Sequence, residues 1–204
     1  MSHRLLQFAG FCSVFFGIVL FCVVLGGYTS FWRSQNRIEA SKALLTDACQ
    51  NRLDLLPELI EITKKNKMQA IGPEINQAAQ KAMTILQKTI TQETPLEKAL
   101  IKEFEISQSK LTLQLKDLFT QLEGSSDKNF QQFKAVRSLL FAAQDNLFVT
   151  KKRYNDEANY FNTRAAAFPT SLFAKLFRFN KMKYIEISKD LFLPANKVFA
   201  PSTS

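Results

Sequence analysis

The sequence predicts an all-α protein: an N-terminal transmembrane helix followed by an antiparallel bundle of about four long helices. Three observations carry this expectation. No charged residue lies between Leu5 and Trp32. Beyond Trp32 the apolar residues recur at helical spacing, and no useful length of strand-like alternation occurs. Near the C-terminal end, Phe133, Leu140, Leu147, Tyr154, Phe161 and Phe168 follow one another at strict seven-residue intervals. The 204 residues suffice for an anchor and one ordinary domain. The expected division is 1–32 as anchor, 33–169 as helical bundle and 170–204 as a basic, aromatic tail.

The anchor comes first. FAGFCSVFFGIVLFCVVLGGY, Phe8 to Tyr28, is long enough as helix to cross about 30 Å of hydrocarbon. A cleaved signal peptide has a shorter apolar stretch and a small-residue cleavage site, of which Gly26-Gly27 is a poor version. A retained single span is therefore expected, with Tyr28 and Trp32 at its far interface. Arg33, Arg37 and Lys42 outnumber Arg4 across the span, so the domain is expected on the cytoplasmic side of a bacterial cytoplasmic (inner) membrane. Ala9, Ser13 and Gly17 form a ladder of small residues that offers a route to a homo-oligomer.

The first domain helix, Arg33 to Lys67, carries Ile38, Leu45, Ala48, Leu55, Leu56, Leu59 and Ile62 on one stripe. Pro57 removes one backbone bond and predicts a kink near Leu53–Leu56. Gly72-Pro73 marks a turn, and the second helix runs from Pro73 to about Thr91 with Ile75, Ala79, Ala82, Leu86 and Ile90 inward. The third opens at TPLE, where Thr94 caps, Pro95 takes the first helical position and Glu97 completes a capping box. Leu96, Leu100, Phe104, Leu111, Leu115, Leu118 and Leu122 supply its apolar side, and Gly124-Ser125-Ser126-Asp127 ends it and caps the fourth. The fourth helix, Lys128 to Phe168, has coiled-coil-like packing, with Val136, Ala143, Ala158 and Ala165 at the alternate seam positions, until Pro169 stops it. In an up-and-down bundle its end and the following tail lie near the membrane.

Composition excludes much chemistry. The scarcity of glycine after the anchor, where only Gly72 and Gly124 remain, rules out a glycine-rich phosphate loop. The one histidine, His3, precedes the anchor, so a His-dependent triad and a Glu-x-x-His di-iron site are both excluded. Cys49 is the domain's one cysteine and reads as a small buried hydrophobe. No cofactor and no metal is expected. Glu58, Glu61 and Glu103 read as solvated or lysine-paired acids. The part after Trp32 holds 26 basic against 18 acidic residues, a net +8 that looks for an anionic neighbour.

Several short runs resemble the LemA family. They are Asn51-Arg52-Leu53-Asp54-Leu55-Leu56-Pro57-Glu58-Leu59-Ile60-Glu61; then Tyr154-Asn155-Asp156, Phe161-Asn162-Thr163 and Phe168-Pro169; then Ala174-Lys175-Leu176-Phe177-Arg178-Phe179 with Tyr184 and Glu186. The resemblance implies a membrane-anchored antiparallel helical bundle. The chain departs from that family's pattern at Asn51, where an arginine pair is usual, and at Glu58, where asparagine is usual. It departs again at Ala143-Gln144-Asp145 in place of Thr-Glu-Asn, and at Arg178 in place of glycine.

The residues expected to matter fall in two sets. Arg52, Asp54, Pro57, Tyr154, Asn155, Asp156, Asn162, Phe168 and Pro169 form the signature set. Within it, Arg52 and Asp54 are expected to reach Asn155 or Asp156 as one polar lock, Asp54 to cap backbone freed by Pro57, and Asn155 and Asn162 to fix helix register. Lys151, Lys152, Arg153, Lys175, Arg178, Lys181 and Lys183 are candidates for contact with a partner or with anionic membrane lipid. The expected function is a non-enzymatic membrane-anchored scaffold that binds a protein or the membrane surface, with no nucleic acid. An accessory subunit of a membrane-bound envelope enzyme such as a peptidase is the alternative, and a cryptic hydrolase the third.

Overall fold

The computed structural model describes residues 2–65, 71–123, 130–186 and 194–199. They form α1 (Ser2–Asp54), α2 (Leu56–Lys65), α3 (Ile71–Thr91), α4 (Lys98–Glu123), α5 (Phe130–Ala166), α6 (Thr170–Leu176) and α7 (Ala195–Val198), with no strand among them.

Anchor and first domain helix are one helix. Nothing between Leu5 and Asp54 stops it, because Gly26-Gly27 lacks the proline or side-chain competition that breaks a turn. Its 53 residues reach about 80 Å. Over 10–23 the described side chains are exposed on every side and almost wholly apolar, and the helix that holds them is long and apolar enough to cross a membrane. From Phe31 onward the helix turns amphipathic and buries Ile38, Leu45, Ala48, Cys49 and Leu53. The break before Pro57 falls at Leu55, inside the expected interval. The chain between 66 and 70, and with it the expected end of this helix at Lys67, lies outside the described residues.

Two helix starts differ from expectation. α3 begins at Ile71, placing Gly72 and Pro73 in its first turn, where a missing N–H leaves no bond unmade. The TPLE capping box does not form, and α4 begins only at Lys98. A tertiary partner takes the backbone instead: the Thr94 N–H donates to Glu39 Oε1 of α1 at 2.8 Å. Lys42 pairs with Glu39 at 2.9 Å and donates to the Gln92 carbonyl at 2.6 Å. Burial opposes the charge on Glu39, but the bonds from Lys42 and Thr94 outweigh it and hold the carboxyl below its ordinary value. Gly124-Ser125-Ser126-Asp127, the expected cap of the fourth helix, lies outside the described residues.

α5 runs antiparallel to α1 and α2 along its whole length. Gln132 meets Glu58, Gln144 meets Arg52, Glu157 meets Arg37 at 3.4 Å and Arg164 meets Ser30 at 2.8 Å. The seven-residue series is buried at Phe133, Leu140, Leu147, Tyr154 and Phe161. Phe168 breaks the series. It is 82% exposed, because α5 stops at Ala166 and the chain has turned away before the series reaches it. α3 packs on both α1 and α4, which closes the bundle.

Arg52 lies at the centre of the core, 1% exposed. Its Nη1 donates to Thr112 Oγ1 at 3.0 Å and to Gln144 Oε1 at 2.9 Å, and its Nη2 donates to Gln108 Oε1 at 2.8 Å. One side chain thus joins α1, α4 and α5. The expected lock with Asn155 or Asp156 is not what forms, since those residues lie about three turns beyond Gln144, toward the other end of α5. Asp54 stays exposed and accepts from Gln50 at 2.7 Å rather than capping the kink. Burial pushes the Arg52 guanidinium down to about 10, still charged at neutral pH, and no carboxylate pairs with it among the described residues. A buried charge with neutral partners alone costs several kcal/mol more than one with a counter-ion. Gln144→Glu is therefore expected to stabilise the fold by about 1–3 kcal/mol, read as a higher midpoint in chemical denaturation. An unchanged or lower midpoint in that variant counts against the Arg52 charge as the core's main strain.

Candidate functional site at the base of the bundle

The tail is a structural element of the bundle. After α6 it turns back and runs antiparallel to α5, and the side chains of α5 hold its backbone. The Met182 N–H donates to Asn162 Oδ1 at 2.8 Å while Asn162 Nδ2 donates to the Met182 carbonyl at 2.9 Å. Asn155 repeats the same pair with Ile185, both bonds 2.9 Å. The Tyr154 hydroxyl donates to the Lys183 carbonyl at 3.2 Å, and the Tyr184 hydroxyl donates to Asn159 Oδ1 at 3.2 Å. Further on, the Ala195 N–H donates to Asp145 Oδ1 at 2.7 Å, and Phe199 stacks on Phe141 at 4.9 Å.

The spacing explains why asparagines stand seven apart. Seven residues of helix rise about 10.5 Å, and three residues of extended chain span about 10 Å. Asn155 and Asn162 therefore meet Ile185 and Met182 in register, each amide pairing with the N–H and the carbonyl of one residue as a neighbouring strand would. Burial of Tyr154, and then the nearby Glu39 charge, push its hydroxyl up to about 12, so it remains a donor.

Aromatic rings join the base of the bundle to α1. Phe31 stacks on Phe179 at 5.1 Å and meets Phe161 edge-on at 5.6 Å, and Tyr28 meets Phe177 edge-on at 4.9 Å. Gly27 lets α6 approach: a Cβ there would lie 2.9 Å from the Phe173 ring. The Arg164 guanidinium lies over the Phe31 and Tyr160 rings, 5.5 Å from each. On the other side of α6 the apolar residues are bare. Leu172 and Leu176 are 57% and 65% exposed, and Phe168 precedes them at the same four-residue step. Pro169 caps this short helix at its start.

The candidate cations do not form one patch. Lys152 pairs with Asp156 at 2.7 Å on the surface, Arg153 is exposed, and Lys151 is half-buried beside Glu105 and Glu186. Lys175 and Arg178 are exposed beside the Leu172–Leu176 ridge. Lys181 and Lys183 instead line a cleft of about 630 Å³ with Lys98 and Lys102 of α4, floored by Ile101 and Met182 and bounded by Tyr184 and Glu105. Gln108, Thr112, Gln144, Asn159 and Asp145 carry contacts that sequence reasoning missed. Gln108 and Gln144 left a signal, each a polar residue four after one buried apolar residue (Phe104, Leu140) and three before the next (Leu111, Leu147).

Cys49 is fully buried, and desolvation pushes its thiol up to about 12 despite Arg52 beside it, as expected of a packed hydrophobe.

Fold and base together define a helical bundle continued from an apolar N-terminal helix, with its C-terminal tail tied back along the last long helix. The chain belongs to the LemA family, whose model matches residues 43–196, from the buried part of α1 to the start of α7. No curated protein and no solved structure matches the chain.

Two outcomes follow from this geometry. Replacing Asn155 and Asn162 together by Ala removes four hydrogen bonds to the tail's backbone and one to the Tyr184 hydroxyl, each worth about 0.5–1.5 kcal/mol. The amides of Met182 and Ile185 should then exchange with solvent far faster, while the helical amides of α1 and α4 keep their protection; equal protection in both proteins would show the tail to be held by its apolar residues alone. Arg178 has φ 54°, the left-handed residue that ends α6, and the Phe179 N–H closes the turn on the Ala174 carbonyl at 2.9 Å. Side chains bear a cost of about 1 kcal/mol there that glycine escapes, so Arg178→Gly should raise the melting temperature.

Proposed function

We propose that the protein is a single-pass, membrane-anchored scaffold without chemistry of its own, and that its base rests on the bilayer surface. The observation that carries this is the exposed ridge of Phe168, Leu172 and Leu176, which sits on a short helix packed against Gly27, where the apolar stretch of α1 ends. A helix apolar all round, without protein against it over 10–23, is at home in lipid. Tyr28 and Trp32 then stand at the interface, and α6 lies beside them at headgroup depth. Its leucines enter the acyl boundary while Lys175 and Arg178 meet anionic headgroups, each cation contributing about 1 kcal/mol. Of the two kinds of partner expected from the sequence, the geometry favours the membrane surface.

The test uses the full chain in lipid nanodiscs. Trp32 is the protein's one tryptophan, so Trp32→Phe with Leu172→Trp reports the depth of α6. Its emission should be blue-shifted and quenched by lipids brominated near the headgroup. Emission at the position found in water, untouched by brominated lipid, would refute contact between α6 and the membrane.

A further inference from the structure

The cleft between α4 and the tail has a charge pattern that the scaffold role does not require. Lys98 and Lys102 approach it from α4, and Lys181 and Lys183 from the tail. None of the four has an acidic partner within ion-pair distance among the described residues, unlike Lys42, Lys65 and Lys152. Two acids, Glu105 and Glu186, also line the cleft, and each has a partner of its own. Glu105 accepts the backbone N–H of Glu186, and Lys151 sits in electrostatic contact with both carboxylates. The lining thus carries four lysines against the two carboxylates of Glu105 and Glu186, which share Lys151, and positive charge is in surplus in the cavity. Its floor is apolar, formed by the buried Ile101 and Met182, and its wall presents Asn162 and Tyr184.

We infer that this cleft binds a phosphate-bearing anion, and that the anion is the headgroup of an acidic phospholipid. Flexible ammonium groups on two elements surround a compact multivalent anion better than a lone carboxylate, which one or two cations satisfy. A cleft of about 630 Å³ has room for a phosphate headgroup and is too small for a folded partner. Its position selects lipid over solute. Asn162 lies about half a turn from Arg164, which bonds Ser30 midway along α1, just after the apolar stretch ends near Tyr28, so the cleft opens close to that level. The lipid assignment rests on the membrane-surface reading; the phosphate chemistry stands without it.

The experiment purifies the full chain from detergent micelles holding equal amounts of phosphatidylcholine and phosphatidic acid, and weighs the lipid that stays bound. Phosphatidic acid should be enriched. Lys98→Gln with Lys102→Gln, and separately Lys181→Gln with Lys183→Gln, should weaken its retention by about fivefold per lysine. Lys81→Gln with Lys110→Gln removes the same charge from exposed positions outside the cleft and should leave retention unchanged. Equal losses in all three variants would reduce the effect to bulk charge and overturn the site, as would no loss in any. If inorganic phosphate stabilises the parent but not the cleft variants, and phosphatidic acid is not enriched, the cleft holds phosphate from solution and the lipid assignment is wrong. Leu172→Trp quenching in the cleft variants separates the two readings. Persistent quenching with lost lipid retention marks a defect of the cleft alone, and retained lipid without quenching removes the surface contact and leaves the cleft.

Discussion

Everything at the base of this protein depends on a helix acting as the edge of a sheet. Asn155 and Asn162 give α5 two amide groups at the spacing of a peptide chain, and the tail lies against them as a strand lies against its neighbour. Peptide groups of a segment without helix or sheet need partners once they approach a core. The asparagines provide them, and that allows Met182 and Ile185 to be buried at all. Without the clamp, the segment after α6 would lose its backbone partners, Lys181 and Lys183 would lose their place opposite α4, and Phe179 its fixed position over Phe31.

Arg52 solves a different problem. Apolar stripes on long helices tolerate sliding by a turn, because leucine replaces leucine at little cost. A buried guanidinium whose donors reach Thr112, Gln108 and Gln144 has its bonds in one register only. Sliding α4 or α5 would leave the charge and both amides unpaired, at a cost of several kcal/mol. The same residue that strains the core therefore sets the alignment of α1, α4 and α5. That alignment carries down the antiparallel pair to the Arg37–Glu157 and Arg164–Ser30 contacts.

The main architecture was legible in the sequence because it follows from periodicity. Five of six positions in the seven-residue series are buried, the kink lies at Leu55, and the apolar segment leads into the bundle. Local signals failed where a distant partner competed. Thr94 had a fair capping sequence, yet Glu39, 55 positions earlier, takes its N–H. The polar signature residues were visible as a group, but their partners were not. Asn155 was expected to meet Arg52 because the two signatures read as one polar lock, whereas its partner is backbone, which carries no sequence signal. Arg178 was visible as a departure from a glycine, and its φ of 54° supplies the reason glycine suits that position.

The continuity of α1 ties these features to one another. A span joined to a domain by a flexible linker lets the domain tumble, whereas here the helix passes from its apolar part into the core without a break. Its rotation about its own axis is fixed by the face that buries Phe31, Ile38 and Leu45. Gly27 presents its bare backbone to Phe173 on that same helix, so α6 has a set azimuth around the span and a set height along it. Tilt of the span would then lift or press the Leu172–Leu176 ridge, and resistance of the ridge would oppose tilt. On the proposed reading, span and ridge act as two supports at an angle, which holds the bundle upright over the bilayer and keeps the cleft beside α4 at a constant distance from the headgroups.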